Sequence, residues 1–329
     1  MDWTKLPKVE LHLHLDCSLS YEVVAQIDPS ITLERYHKEF IAPVKCVDLA
    51  EFLSYAPRSY PLMQTEEQLR LVTLDLFEQL HRDHVLYAEI RFAPVLHTEK
   101  GLSTCEVVAA VEATTAKAVR STGIEARIIL CTLGYSVEQN LEIVRLVEDF
   151  RGTYVAGFDL ADIEKNPIET HIAAFQYAHE RGIPCTAHAG ESRGVDNVWE
   201  TVQNLAPSRL GHGVPCLERP ELVEHIRKRG IHLEVCPTSN IQTNTFDTYA
   251  DHPIDKLYRT GISVGVNTDD RTLANITLSQ EYAKLHDTFG WGAEEFFHCN
   301  RNALEAAFIP DDVRNKLLAQ LADGYQHSF

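Results

Sequence analysis

Eight short runs of apolar and β-branched residues recur along this chain, separated by longer segments with helical spacing, and that alternation leaves few architectures open. The runs are Val9 to Leu15, Tyr87 to Pro94, Ala126 to Leu133, Val155 to Ala161, Pro184 to Gly190, Arg209 to Gly213, His232 to Pro237 and Ser263 to Asp269. Several are near-continuous apolar stretches, the pattern of parallel strands covered on both faces. Between them, Cys105 to Ser121, Val137 to Phe150, Ile168 to Arg181, Val195 to Leu205, Pro220 to Arg229 and Pro253 to Arg259 read as amphipathic helices. Three of these run into a glycine (Gly123, Gly182, Gly230) just ahead of the next strand, which is a helix stop signal. Further helical segments follow at Leu278 to Thr288, Ala293 to Ala307 and Asp311 to Leu321. The whole predicts an α/β fold, a (β/α)8 TIM barrel with extra C-terminal helices.

The alternation is interrupted once. Roughly seventy residues separate the first strand from the second, more than one crossover helix requires, so an insertion is expected within 18–84. It carries the aromatic stretch Leu49 to Pro57 and the long helical pattern Glu66 to Asp83. On the first strand-to-helix loop it would stand over the barrel mouth, either as a lid or as an extension covering one face. No repeat, low-complexity tract or flexible linker divides the sequence, so 1–329 reads as a single domain.

The net charge of -18 argues against a nucleic-acid partner, because phosphate neutralisation needs clustered Lys and Arg. A small neutral or cationic ligand fits better, although an acidic excess also serves simply to keep a surface solvated. No run approaches the roughly 18 apolar residues that span a bilayer, and Met1 to Pro7 lacks a secretory pattern. A cytoplasmic location without a membrane partner is expected. The cysteines are scattered, without disulfide-scaffold or CxxC spacing, and are expected to be reduced.

Polar residues cluster where the runs end. His12 and His14 lie two apart, and the period of a strand points both imidazoles to one side, with Asp16 just beyond. The fifth run ends in Ala187-His188-Ala189-Gly190-Glu191, the sixth contains Gly211-His212-Gly213, and the eighth ends in Asn267-Thr268-Asp269-Asp270. These are all carboxyl ends, and a closed barrel gathers them around one mouth. Neutral imidazoles with a carboxylate form an N/O donor set that suits zinc, or less selectively iron and cobalt, with a position left for water.

These motifs, with Pro7 to Asp16 and Cys236-Pro237-Thr238-Ser239-Asn240, resemble the adenosine/adenine deaminase family of metal-dependent amidohydrolases, from about Leu6 to beyond Ala307. The resemblance implies one Zn2+ per chain held by His12, His14, His188 and Asp269, with zinc-activated water as nucleophile. It implies that His212 orients that water or takes its proton, that Asp270 accepts hydrogen bonds from hydroxide or purine N7, and that protonated Glu191 is the acid for purine N1. Substrate contacts are implied for His14, Asp16, Asp162 and Asp270. Asp16, where adenine-specific relatives tend to carry Glu, would meet the 5'-hydroxyl of a nucleoside; otherwise it orients His14.

The reaction expected from the resemblance is deamination of adenosine and 2'-deoxyadenosine to inosine and 2'-deoxyinosine plus ammonia. Adenine or another 6-aminopurine nucleoside such as aminofutalosine is the alternative substrate, and a catalytically silent purine-binding relative is the alternative outside the enzymes. Cys17 and Asp162 stand where the adenosine-specific pattern has Gly, and bear on the shape of the base pocket. Arg271 stands where relatives often have Pro, and is expected only to pair with a surface carboxylate. His232-Leu233-Glu234 echoes half the signature of the other zinc deaminase class but lacks its Pro-Cys-x-x-Cys partner, so both residues read as ordinary strand residues. Phe158-Asp159-Leu160-Ala161 has no lysine to bridge two metals, which favours a single ion.

Overall fold

The computed structural model describes residues 2–161 and 163–326; Asp162, one of the expected substrate contacts, lies outside the described residues. The strands are β1 (Lys8–His14), β2 (Val85–Phe92), β3 (Glu125–Thr132), β4 (Val155–Leu160), β5 (Cys185–Ala189), β6 (Arg209–His212), β7 (His232–Val235) and β8 (Val264–Val266). They form one parallel sheet in sequence order, β1 to β8, with helices between them. This is the (β/α)8 barrel that the alternation predicts.

The ring closes through little backbone. β8 meets β1 at a single bridge, Leu13 to Asp269, where the His14 N–H donates to the Asp269 carbonyl at 2.9 Å and the Asp269 N–H donates to the His12 carbonyl at 3.1 Å. A side chain completes the seam, since Asn267 Oδ1 accepts from the N–H groups of Leu11 (2.8 Å) and His12 (3.1 Å). The expected run Ser263 to Asp269 therefore shrinks to three residues of regular strand. Its far end breaks from the ladder because the Asn267 amide replaces a backbone acceptor and Asp269 turns left-handed, with φ at +66°.

Crossover helices cover the sheet, among them Thr104–Thr122, Glu169–Arg181 and Pro220–Arg229. These three end on Gly123, Gly182 and Gly230 with φ of +76°, +63° and +65°, a left-handed stop that costs a Cβ-free residue little. Ala293–Ala306 packs against β1 and β8. The insertion contains short helices at Tyr21–Ile27, Leu33–Glu39 and Leu49–Leu53 before the long crossover helix Glu66–Arg82. Leu49, Phe52, Leu53, Ala56 and Tyr60 form one wall of the cavity at the barrel mouth.

The barrel interior is unusual for its charge. Branched apolar residues dominate most barrels of this kind, yet Glu89, Arg91, Asp159, Arg209 and Glu234 are here almost wholly buried. Arg91 bonds Asp159 Oδ2 at 2.9 Å and Glu234 Oε2 at 2.7 Å, while Arg209 pairs with Glu89 and lies 2.7 Å from Glu234 Oε1. A second buried group of charges lies at the seam. Arg271 Nη2 bonds Glu10 Oε2 (2.6 Å) and Asp83 Oδ2 (3.1 Å), and Lys8 Nζ donates to the carbonyls of Leu6 and Asp83. Arg271 is thus 4% exposed and paired within the fold, which corrects the surface pairing expected for it. The cause is the turn after β8, which aims the guanidinium back beneath the helix Leu278–Phe289, whose first N–H groups also bond Asp83.

Candidate active site

A cavity of about 340 Å³ opens at the carboxyl ends of the strands, a volume within the usual range for small-ligand sites. His14, Asp16, Cys17, His188, Glu191, Asp269 and Asp270 reach it, and His12 and His212 lie buried just behind. β1 supplies His12 and His14, whose ring centroids are 5.3 Å apart. β5 supplies His188, and β6 supplies His212 in a left-handed conformation with φ at +61°. Such conformations are costly for residues other than glycine and cluster at functional sites. Gly211 makes room for the group, because a Cβ there would sit 2.8 Å from His12 Cε1.

The ligand-capable atoms converge. His12 Nε2 is 3.0 Å and His14 Nε2 3.4 Å from Asp269 Oδ1, and His14 Nε2 is 3.2 Å from His188 Nε2. His12, His188, His212 and Asp269 each offer an atom within 4.8 Å of the others, and His14, Asp269 and Asp270 form a second such group. His212 Nε2 is 3.2 Å from Glu191 Oε2 and 3.8 Å from Asp269 Oδ2. Burial and the nearby Asp269, Glu164 and Asp270 carboxylates push the Glu191 pKa well above the ordinary carboxyl value. Burial and Asp269 do the same to Asp270.

Residues behind the mouth hold this arrangement. His12 Nδ1 lies 2.9 Å from Glu234 Oε2, and His188 Nδ1 lies 2.9 Å from the Leu160 carbonyl and 3.2 Å from Asp159 Oδ2. Glu234 is therefore no ordinary strand residue, as the sequence reading had it: on β7 it points into the barrel, bridges Arg91 and Arg209, and orients a cluster imidazole. His232, at the start of β7, does fit that reading, since it bonds the hydroxyl of Ser263 just ahead of β8. Glu164, with φ at +58°, accepts from the N–H groups of Glu191, Ser192 and Arg193 and so fixes the turn that carries Glu191. Glu234, Asp159 and Glu164 all escaped the sequence reading; the visible signal for the first two was a charge within an otherwise apolar strand.

Asp16 lies 3.7 Å from His97 Nε2 and 3.5 Å from the Ala93 N–H. Cys17 reaches the cavity beside Asp270. Away from the strand ends the lining is largely apolar, with Leu96, Leu133, Tyr135 and Ile163 in addition to the insertion residues, and it includes Lys165 and Asn166.

A barrel whose mouth gathers four imidazoles and three carboxylates in this way defines an amidohydrolase-type barrel. Sequence comparison narrows the class: the adenosine deaminase family profile matches residues 7–324, and the chain belongs to that family. An adenosine deaminase of Enterococcus faecalis is 37% identical over 327 residues, covering 97% of this chain and 96% of that protein. Among solved structures, an adenine deaminase from Arthrobacter aurescens superposes with a TM-score of 0.89 at 25% identity, covering 98% of this chain and 99% of that one. A zinc-bound amidohydrolase from Burkholderia ambifaria gives a TM-score of 0.89 at 25% identity, covering 98% and 92%. Among the described residues, no helix is long and apolar enough to cross a membrane.

Proposed function

We propose that this chain catalyses the hydrolytic deamination of adenosine and 2'-deoxyadenosine, giving inosine and 2'-deoxyinosine with ammonia. The observation that carries the reading is the meeting of Glu191 and Asp270 with the imidazole cluster at one wall of a cavity of about 340 Å³. Kinship with the Enterococcus faecalis adenosine deaminase supports the substrate.

One zinc ion, held by His12, His14, His188 and Asp269, fits these residues. His188 donates from Nδ1 to the Leu160 carbonyl, so its Nε2 carries a lone pair, yet that atom faces the ring nitrogen of His14 at 3.2 Å. Buried His12 Nε2 has no hydrogen-bond partner despite lying near Asp269. Lone pairs aimed at a common point in a buried site are the donor chemistry of a divalent cation. When bound, such a cation lowers the pKa of a water toward 7 and supplies a nucleophile at neutral pH.

The chain's own groups do the rest. Glu191, held protonated by burial and neighbouring carboxylates, hands its proton to purine N1 and leaves C6 electron-poor. Asp270, held protonated in the same way, donates to purine N7. Asp16 accepts from the ribose 5'-hydroxyl; its partners here are His97 and Ala93, which supports this role over that of orienting His14. The insertion wall of Leu49, Phe52 and Leu53 excludes water from the purine and serves as a lid.

The test is ammonia release by the purified protein from adenosine, 2'-deoxyadenosine, adenine and aminofutalosine. The two nucleosides should be turned over fastest. Turnover of adenine at a comparable or higher rate would instead align this chain with its Arthrobacter structural neighbour. Glu191→Gln should lower kcat about 10²- to 10⁴-fold. Chelation should abolish activity and zinc should restore it.

A further inference from the structure

Three imidazoles of the cluster have their proton positions set by what stands behind them, and one differs from the other two. Behind His12 is the Glu234 carboxylate, and behind His188 is the Leu160 carbonyl, each 2.9 Å from Nδ1. Both partners accept, so both Nδ1 atoms carry the proton and both Nε2 atoms keep a lone pair. His212 is backed by an amide. Its Nδ1 lies 3.1 Å from Asn240 Nδ2.

Which way that amide faces is decided one residue further out. The backbone N–H of Ile254 donates to His252 Nδ1 at 3.2 Å, and an N–H group can only donate. His252 is buried and neutral, its pKa lowered by burial to about 3, so its proton sits on Nε2. That N–H points at Asn240 Oδ1, 3.2 Å away. An amide whose oxygen accepts from His252 presents its NH2 to His212, and His212 Nδ1 must accept. The orientation thus follows from a backbone donor and does not depend on telling amide nitrogen from oxygen. Asn240 is 0% and His252 2% exposed, and Phe246 packs edge-on against the His252 ring with centroids 5.1 Å apart, so water has no place in the relay.

We propose that His252 and Asn240 are positioning residues that hold His212 in the tautomer with its proton on Nε2, so that His212 donates a hydrogen bond into the reaction centre. His212 is then neither a metal ligand nor the acceptor of the water's proton, although its Nε2 lies close enough to His12, His188 and Asp269 to be either. The chain sorts chemically identical rings into two jobs by what it places behind them: an acceptor makes a ligand, and a donor makes a hydrogen-bonding group. The role at the reaction centre rests on the deaminase reading; the tautomer does not.

The direct test is a long-range 15N–1H correlation spectrum of zinc-loaded protein labelled at histidine nitrogen, with His212 assigned by loss of its signals in His212→Gln. Nε2 is told from Nδ1 because it couples to both carbon-bound ring protons. Wild-type His212 should be protonated at Nε2; protonation at Nδ1 would overturn the proposal, and this readout requires no variant that must fold without the relay.

Asn240→Asp replaces the donor by an acceptor. It should move the proton to Nδ1 and lower kcat by about 10²-fold while KM stays within about twofold. His252→Leu should produce a smaller loss through a mixture of tautomers, and His252→Gln, whose amide can donate from nearly the same place, should recover most of it. An Asn240→Asp protein with an unmoved tautomer, or one whose defect lies in KM alone, would count against the relay. If wild-type His212 shows the expected tautomer but no 6-aminopurine releases ammonia, the deaminase reading fails and the relay stands.

Discussion

Two groups of buried charges meet β1 within a few residues of one another, one at His12 and the other at Lys8 and Glu10, and they serve different ends. The first fills the barrel, where Arg91, Arg209, Glu89, Asp159 and Glu234 bond one another and end on the rings of His12 and His188. The second sits outside the barrel at the β1–β8 seam, where Lys8, Glu10, Asp83 and Arg271 tie both strands to the ends of two helices. Burial of this kind carries a heavy desolvation penalty, and a well-packed apolar set is often as stable. The interior group is accounted for by the proposed function, since rings that are to hold a metal need fixed orientation. Among the described residues the seam group bonds no cluster imidazole, and its work is to hold the ring shut.

The comparison is broken or sharpened most forcefully at Glu234. Glu234→Leu leaves Arg91 and Arg209 short of a partner and His12 without its acceptor. Stability should drop by about 3 to 5 kcal/mol, and metal affinity should fall about 10- to 100-fold, measured by denaturant midpoints and by titration with a competing chelator. A variant that lost stability but kept full metal affinity would erase the distinction between the two groups. Asp83→Asn should cost about 3 kcal/mol by the same argument, yet keep metal content and KM, because it acts only on the seam.

A pH effect belongs to the seam as well. Burial lowers the Lys8 pKa to about 8, against about 10.4 in an unfolded chain. Between those values the unfolded chain holds a proton that the folded chain has shed, so stability rises with pH across the window. Lys8→Met should remove a rise of about 2 kcal/mol between pH of about 8 and 9.5, read from urea midpoints at the two values. The smallest effect is expected far from both groups. Tyr135, 67% exposed at the cavity rim, should tolerate Tyr135→Ala without change in melting temperature and with a KM change of about threefold at most.

The eight strands and the cluster residues were legible because both write a local signature: parallel strands are apolar runs, and the reactive groups follow directly at their carboxyl ends. His12, His14, His188, Glu191, His212, Asp269 and Asp270 could all be placed on that frame, and the structure brings them together. Strand ends were overshot by two residues or more at β2, β7 and β8, because Pro94 and Pro237 already open short helices and Asn267 to Asp269 leave the regular ladder. Glu234 was misread for a different reason. A charge within an apolar strand points inward or outward according to barrel register, and one strand's sequence does not contain that register. The links from Arg271 to Asp83 and from His252 through Asn240 to His212 join residues of separate elements, where no periodicity announces a partner.

The manner of ring closure has a consequence for how the protein comes into being. Leu11 and Asn267, joined across the seam, are 256 positions apart, and Asp269 bridges to Leu13 beside them. During synthesis from the N-terminus, His12 and His14 emerge long before Asn267 and Asp269, which complete their surroundings. Contacts of such long range form slowly. The nascent protein thus carries two imidazoles of the cluster ahead of their partners, and docking of β8 on β1 both seals the barrel and completes the cluster.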